Sequence, residues 1–243
     1  MKFAVIGGTG LIGSQVVSKL RAAGHEAVPH SKSTGVDVVG GSGVEEAVAG
    51  ADVVVNLTNS PTFDDASAEF FRASMDNLLA AGHKAGVRHM VILSIVGADQ
   101  VPELDYYRAK VLQERLLEDG PIPYSIVRAT QFMEFVEPTM SWTTDGDTVH
   151  LPGTSIQPIA AADVADAVVE VAVGEPLLGI RNVAGPDVYT LDELGRITLE
   201  ARPDGRSVVR DENAGLFAAV RGDVLTAKED AHIAPTHYAD WLA

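Results

Sequence analysis

Apolar and polar positions follow a regular rhythm along the first half of this chain, and the rhythm loosens near Arg128. Phe3 to Ile6 is a short unbroken apolar run, the pattern of a strand buried on both faces. After a glycine cluster, Leu11, Ile12, Val16, Val17 and Leu20 recur at helical spacing, and Gly24 stops the segment. Glu26 to Val28 and Val36 to Val39 read as strands, and Ser42-Gly-Val-Glu45 has the spacing of a capping box that opens a short helix. Val53 to Leu57 predicts a strand, 64–85 a long helix and Met90 to Leu93 another strand. A helix over 103–118 and a strand from Tyr124 to Val127 follow. Strands and helices alternating at this pace imply an α/β fold with a parallel sheet covered on both faces.

Beyond Arg128, residues 131–158 carry prolines and a TDGDT turn and read as irregular. A helix at 161–173, a strand at 180–183 and a helix from Thr190 to Ala201 come next, while the last forty residues show no clear period. No repeat or linker separates two independent domains.

Composition narrows the chemistry. The chain has 243 residues and no cysteine, which removes disulfides, thiolate metal sites and cysteine nucleophiles. With 34 acidic against 18 basic residues its formal charge is −16, which argues against nucleic acid or an anionic membrane as partner. An anionic cofactor must therefore be held by a local feature. The apolar run at the start is too short for a signal peptide, and no segment has the length of a membrane span, so the expectation is a cytoplasmic protein. The seven histidines are scattered without metal-ligand spacing, so no metal is expected.

Gly7-Gly8-Thr9-Gly10-Leu11-Ile12-Gly13 places glycines at G-x-x-G-x-x-G spacing between a strand and a helix. Glycines there permit a tight turn, let the backbone approach a pyrophosphate, and bring helix against sheet. The acid that would meet a ribose 2′-hydroxyl about 20 residues on is missing. Ser31, Lys32 and Ser33 stand there instead and suit a 2′-phosphate, so NADP (as NADPH) is expected, with NAD possible through Asp37. Tyr106 and Lys110 form Y-x-x-x-K on a predicted helix, where residues four apart share a face. A neighbouring ammonium would lower the phenol pKa from about 10. Ser94 ends the preceding strand, at the sheet edge where ligands bind.

Glycine turn, strand-end serine and Y-x-x-x-K, in this order, resemble the short-chain dehydrogenase/reductase superfamily. The stretch SIVGAD…YYRAKVLQERLL…IPYSIVRATQFMEF is most similar to its atypical, NmrA-like NAD(P)-binding branch. The resemblance covers about the first 170 residues and implies a Rossmann-type doubly wound sheet with a small C-terminal substrate lobe. On that view 1–243 is a single NAD(P)-binding domain, with the lobe built mainly from 131–158 and 175–235. Carried over by motif, Gly7, Thr9, Gly10, Leu11 and Ile12 would line the pyrophosphate, Asp37 and Val38 the adenine, and Thr58 the ribose. Ser94, Tyr106 and Lys110 would face the nicotinamide as catalytic residues, and Ala129, Thr130, Gln131 and Phe132 would close over it.

The expected function is an NADPH-dependent reductase of a carbonyl or quinone. Alternatives are a non-catalytic redox-sensing regulator, which the NmrA-like branch includes, and an epimerase or dehydratase. Three aromatics and two methionines fall within residues 132–142 of a chain that is only 6% aromatic. Aromatic walls suit a flat apolar ligand, so Phe132, Phe135, Met140 and Trp142 are expected to bind a bulky aromatic small molecule. A monomer or homodimer is expected.

Overall fold

The computed structural model describes residues 1–243. In chain order the elements begin with β1 (Lys2–Ile6), α1 (Leu11–Ala22), β2 (Glu26–His30), α2 (Val44–Val48) and β3 (Val53–Asn56). They continue with α3 (Ala66–Ala85), β4 (His89–Ile95), α4 (Asp105–Glu118) and β5 (Tyr124–Ala129). After β5 come α5 (Val136–Trp142), β6 (Thr144–Asp145), β7 (Thr148–Leu151), β8 (Ser155–Ile156) and α6 (Ala161–Val173). The chain ends with β9 (Ile180–Ala184), β10 (Tyr189–Thr190), α7 (Leu191–Ala201), β11 (Ser207–Arg210), β12 (His232–Ile233) and α8 (Tyr238–Leu242).

Seven strands form one parallel sheet in the order β12-β9-β5-β4-β3-β1-β2, with flanking helices: a Rossmann-like α/β fold. The order reverses between β1 and β3, which is where a doubly wound sheet opens a crevice for ligands. The chain divides into two compact units. The first comprises 1–94, 105–128 and 164–181, and the second 95–104, 129–163 and 182–243.

In the first unit β1 pairs with β2 and β3, and β3 with β4, all parallel and in continuous register. The four residues of β3 are all buried, as the unbroken VVVN run requires of a central strand. A core of Ala4, Ile6, Val54, Met90, Ile92 and Ile126 from the strands packs against Met75, Leu78 and Leu79 of α3 and Val44 and Val48 of α2. The second unit holds two small sheets, β11-β7-β6 and β10-β8.

Two expected elements differ. Residues 36–39 are not a strand but a turn. Val36 and Val38 are buried, yet the Val38 and Val39 carbonyls accept from the Asn77 side-chain amide, at 2.9 and 3.0 Å, instead of a neighbouring strand. Ser42 does not cap α2: the cap is Gly43, with no side-chain hydrogen bond. In the stretch read as irregular, 136–142 forms α5, because Pro138 falls in the first turn, where the missing amide costs nothing.

Candidate functional site

The first unit presents a phosphate cradle. Gly7 takes φ +77°, and its amide and that of Gly8 donate to the His30 carbonyl at 2.8 and 3.1 Å, fastening the turn to the end of β2. A Cβ at Gly7 would stand 2.8 Å from the Leu57 carbonyl carbon, and one at Gly13 only 2.1 Å from the Gly7 oxygen. Those two glycines are needed for the turn's own packing. Gly10 is not: a Cβ there would meet only the Gly7 oxygen, at 3.4 Å.

Gly10 also caps α1 without a side chain, and no acid lies in the first turn. The Ser14 amide makes the first α-type bond, to the Gly10 carbonyl. The amides of Leu11, Ile12 and Gly13 therefore point outward at the positive end of the helix dipole, beside open space at Gly10. These residues fit a dinucleotide pyrophosphate.

Around the cradle, residues 32–34 form a 3-10 turn following β2. It is tied by the Ser31 amide donating to Thr34 Oγ1 (2.8 Å) and by a 2.8 Å bond between the Ser31 and Ser33 hydroxyls. Lys32 is exposed on this turn, and no carboxylate pairs with it. The Asp37 carboxylate accepts from the Val39 amide (3.2 Å), and Val38 is buried. The Thr58 hydroxyl donates to Asn56 Oδ1 (2.7 Å). Thr9 is exposed at the tip of the glycine turn.

Tyr106 and Lys110 hydrogen-bond different partners. The Tyr106 hydroxyl donates to Asn59 Oδ1, and its ring packs on Phe63 and Phe71 with centroids 5.0 and 6.1 Å away. Burial raises the phenol pKa, partly opposed by the Asn59 bond, so the expected lowering is corrected. Lys110 donates to the Leu93 carbonyl at 2.7 Å and to Gln113 Oε1, with its ammonium 4.7 Å from the Phe71 ring centre. Burial pulls the Lys110 pKa down to about 7, against a smaller upward pull from Glu114. Glu114 is gripped in turn by Arg128 through bonds of 2.8 and 2.6 Å. Ser94, next to Leu93 on β4, is buried, and its hydroxyl has no partner in the protein.

In the second unit, Ala129 closes β5 and Thr130 follows with its amide on the Val183 carbonyl (3.1 Å) and its buried hydroxyl unpartnered. Phe132 bridges to Ile159 and meets Phe135 edge-on, with centroids 6.1 Å apart. The expected four-residue aromatic wall does not form. Met140 is wholly buried core, and Trp142 is 57% exposed at the far end of α5. It lies seven positions beyond Phe135, a rise of about 10 Å.

Gln131 lies within the stretch 129–132 expected to close over the nicotinamide. Both polar atoms of its side chain are buried and unpartnered.

No helix of the protein is long and apolar enough to cross a membrane. Comparison with known proteins agrees with the cradle. Residues 7–174 match a family described as NAD(P)H-binding. A (4-alkanoyl-5-oxo-2,5-dihydrofuran-3-yl)methyl phosphate reductase of Streptomyces griseus is 31% identical over 212 residues, covering 78% of this chain and 70% of the relative. Two solved structures show the same fold. A nucleoside-diphosphate-sugar epimerase from Staphylococcus aureus has TM-score 0.73 at 17% identity, covering 100% of this chain and 99% of that one. The NADPH complex of a quinone oxidoreductase from Escherichia coli has TM-score 0.69 at 19% identity, covering 86% and 77%. With the glycine turn, the open face at Gly10 and a match over most of its length, the chain belongs to the NAD(P)H-binding family.

Proposed function

We propose that this protein is an NADPH-dependent reductase acting on a carbonyl or quinone of a bulky aromatic small molecule. The observation that carries the reading lies within the first unit, where a phosphate cradle accompanies a protonated phenol and an unpartnered serine hydroxyl at the C-terminal end of β4. Bound NADPH supplies a hydride equivalent; the chain supplies binding, orientation and a proton. Gly10 and the α1 amides hold the pyrophosphate, and Lys32 with Ser31 and Ser33 holds the 2′-phosphate through charge-assisted bonds. Asp37 and Val38 flank the adenine and Thr58 the ribose. The Ser94 hydroxyl orients the substrate oxygen, and Tyr106 gives it a proton.

With its pKa raised by burial, Tyr106 holds its proton at neutral pH. Lys110 is then a positioning residue: it holds the Leu93 carbonyl and so fixes the strand that carries Ser94. Of the residues at and after the end of β5, Ala129, Thr130 and Phe132 serve the cofactor, and Phe132 and Phe135 the substrate. The relative's name as a reductase and the quinone oxidoreductase neighbour support the chemistry. The test is NADPH oxidation followed at 340 nm with a panel of quinones and aromatic ketones against small aldehydes. Turnover of the aromatic members with poor use of the aldehydes is the expected result.

That Tyr106 and Lys110 bond different partners favours one second reading, an NAD(P)H-binding regulator without turnover. Tight NADPH binding with no oxidation of any panel member would select it.

A further inference from the structure

The second unit contains a cavity of about 290 Å³, lined by 152–155, Glu212 and, from the stretch 216–222, chiefly Val220 and Arg221. Every residue of its wall belongs to that unit. The wall is held by its own bonds. The Thr154 hydroxyl donates to the Phe217 carbonyl (2.9 Å), the Gly153 amide to Glu212 Oε2 (3.3 Å) and the Leu191 amide to the Thr154 carbonyl (2.9 Å). The volume suits one small organic molecule. Glu212 and Arg221 are exposed, so a ligand reaches both from solvent.

Charge and geometry narrow what that molecule is. Arg196, Arg202, Arg206 and Arg210 each pair with a carboxylate. Arg221, the remaining arginine of the unit, instead donates through Nη1 to the carbonyls of Ala218 and Val220, the latter at 3.2 Å. Its Nε and Nη2, which share one edge of the guanidinium, are left over. Arg128 grips Glu114 through those same two atoms, at 2.8 and 2.6 Å, so this edge is already a carboxylate fork elsewhere in the protein.

Glu212 does not cancel Arg221, because it has a cation of its own. Arg210 Nε donates to Glu212 Oε1 at 2.6 Å, and the guanidinium lies so close to Gly153 that a Cβ there would stand 1.8 Å from Nη2. With Arg210 and Glu212 neutral as a pair, Arg221 supplies the net charge of the wall. Each Glu212 oxygen accepts one bond and keeps a lone pair for a further donor. The complement is a planar monoanion beside a hydroxyl, with an apolar remainder against Pro152, Ala218 and Val220. A phosphate dianion fits less well, since its second charge would face the Glu212 carboxylate.

We propose that this cavity binds a small hydroxycarboxylic acid, with its carboxylate on Arg221 and its hydroxyl on Glu212. None of these residues belongs to the reducing machinery proposed above, so either reading can fail alone.

Calorimetry on the full chain with 3-phenyllactate, its methyl ester, 3-phenylpropionate and phenyl phosphate decides the matter. The wild type should bind 3-phenyllactate about tenfold tighter than the ester, which has lost the charge, and about fivefold tighter than 3-phenylpropionate, which lacks the hydroxyl. Arg221→Gln should erase the preference for acid over ester. Glu212→Leu should erase the preference for the hydroxyl; both acids meet the released Arg210 alike, so their ratio still reads the hydroxyl alone. NADPH affinity should stay within about twofold in both variants, since the cradle lies in the other unit. The wild-type comparisons need no variant and stand even if one fails to fold. No binding of 3-phenyllactate, or equal binding of acid and ester, overturns the assignment. So does a folded Arg221→Gln that keeps the preference, and tighter binding of phenyl phosphate would give the cavity to phosphate esters instead.

Discussion

Two side chains one helical turn apart, Tyr106 and Lys110, occupy different chemical settings, and that difference fixes what each substitution should do. Tyr106 keeps its proton, so Tyr106→Phe should lower kcat about 10²-fold while NADPH affinity stays within twofold. Steady-state kinetics with a reducible quinone check this, and unchanged kcat would make the tyrosine a bystander. Lys110 is buried, with a pKa pulled down to about 7, whereas in the unfolded chain it titrates at its ordinary value, near 10.5. Between those values the unfolded state binds the extra proton, so Lys110 makes stability rise with pH, at about 1.4 kcal/mol per unit at full slope. Below about pH 7 both states hold the proton and the dependence vanishes. Lys110→Met should therefore lose ground to the wild type as pH climbs from 7 to 10, a trend readable in urea midpoints; parallel curves would place the lysine in contact with water. At the cofactor's other end, Lys32→Ala removes a charged donor from an exposed turn. It should weaken NADPH at least about tenfold and leave NADH nearly unchanged. Equal losses would remove the 2′-phosphate from that turn.

At the scale of elements, the glycine turn separates packing from binding. Gly13→Ala would drive a Cβ to 2.1 Å from the Gly7 oxygen and should cost about 3 kcal/mol. Gly10→Ala has room at 3.4 Å and an extended cap conformation open to alanine, so it should cost under about 1 kcal/mol while weakening NADPH at least tenfold. Thermal melts with and without NADPH distinguish the two, and an unaltered cofactor shift in Gly10→Ala would refute the cradle. The same contrast shows why much of this fold was legible in the sequence. β1, α1, β3, α3 and β5 declare themselves through local apolar periods, and their order alone implies the parallel sheet. Residues 36–39 misled because alternating burial resembles a strand whatever accepts the backbone bonds; here Asn77 supplies them from 38 residues away. The short strands were invisible for a related reason. β11 pairs with β7 and β12 with β9, across separations that no local pattern records. In the first unit, the glycine turn could be read from type and position. The different partners of Tyr106 and Lys110 and the unpartnered amide of Gln131 could not, since both depend on what lies around the side chain.

For the molecule as a whole, the acid excess sets a problem that the local cradle has to solve. A chain of formal charge −16 repels a polyanionic dinucleotide at long range, yet it belongs to a family that binds one. On the proposed reading, attraction comes from backbone amides at the start of α1 and from Lys32, features that act over a few ångströms. Repulsion comes from carboxylates spread over the whole surface and reaches as far as the Debye length, about 30 Å at 0.01 M salt and about 8 Å at 0.15 M. Salt therefore removes the repulsion first and touches the close contacts least. The association rate constant of NADPH should rise severalfold between those ionic strengths, opposite to the fall seen where a cationic cleft steers its ligand. Stopped-flow quenching of the Trp142 and Trp241 emission would follow it. If the rate falls with salt, the field at the cradle already dominates at a distance, and the acidic surface faces away from the approach path.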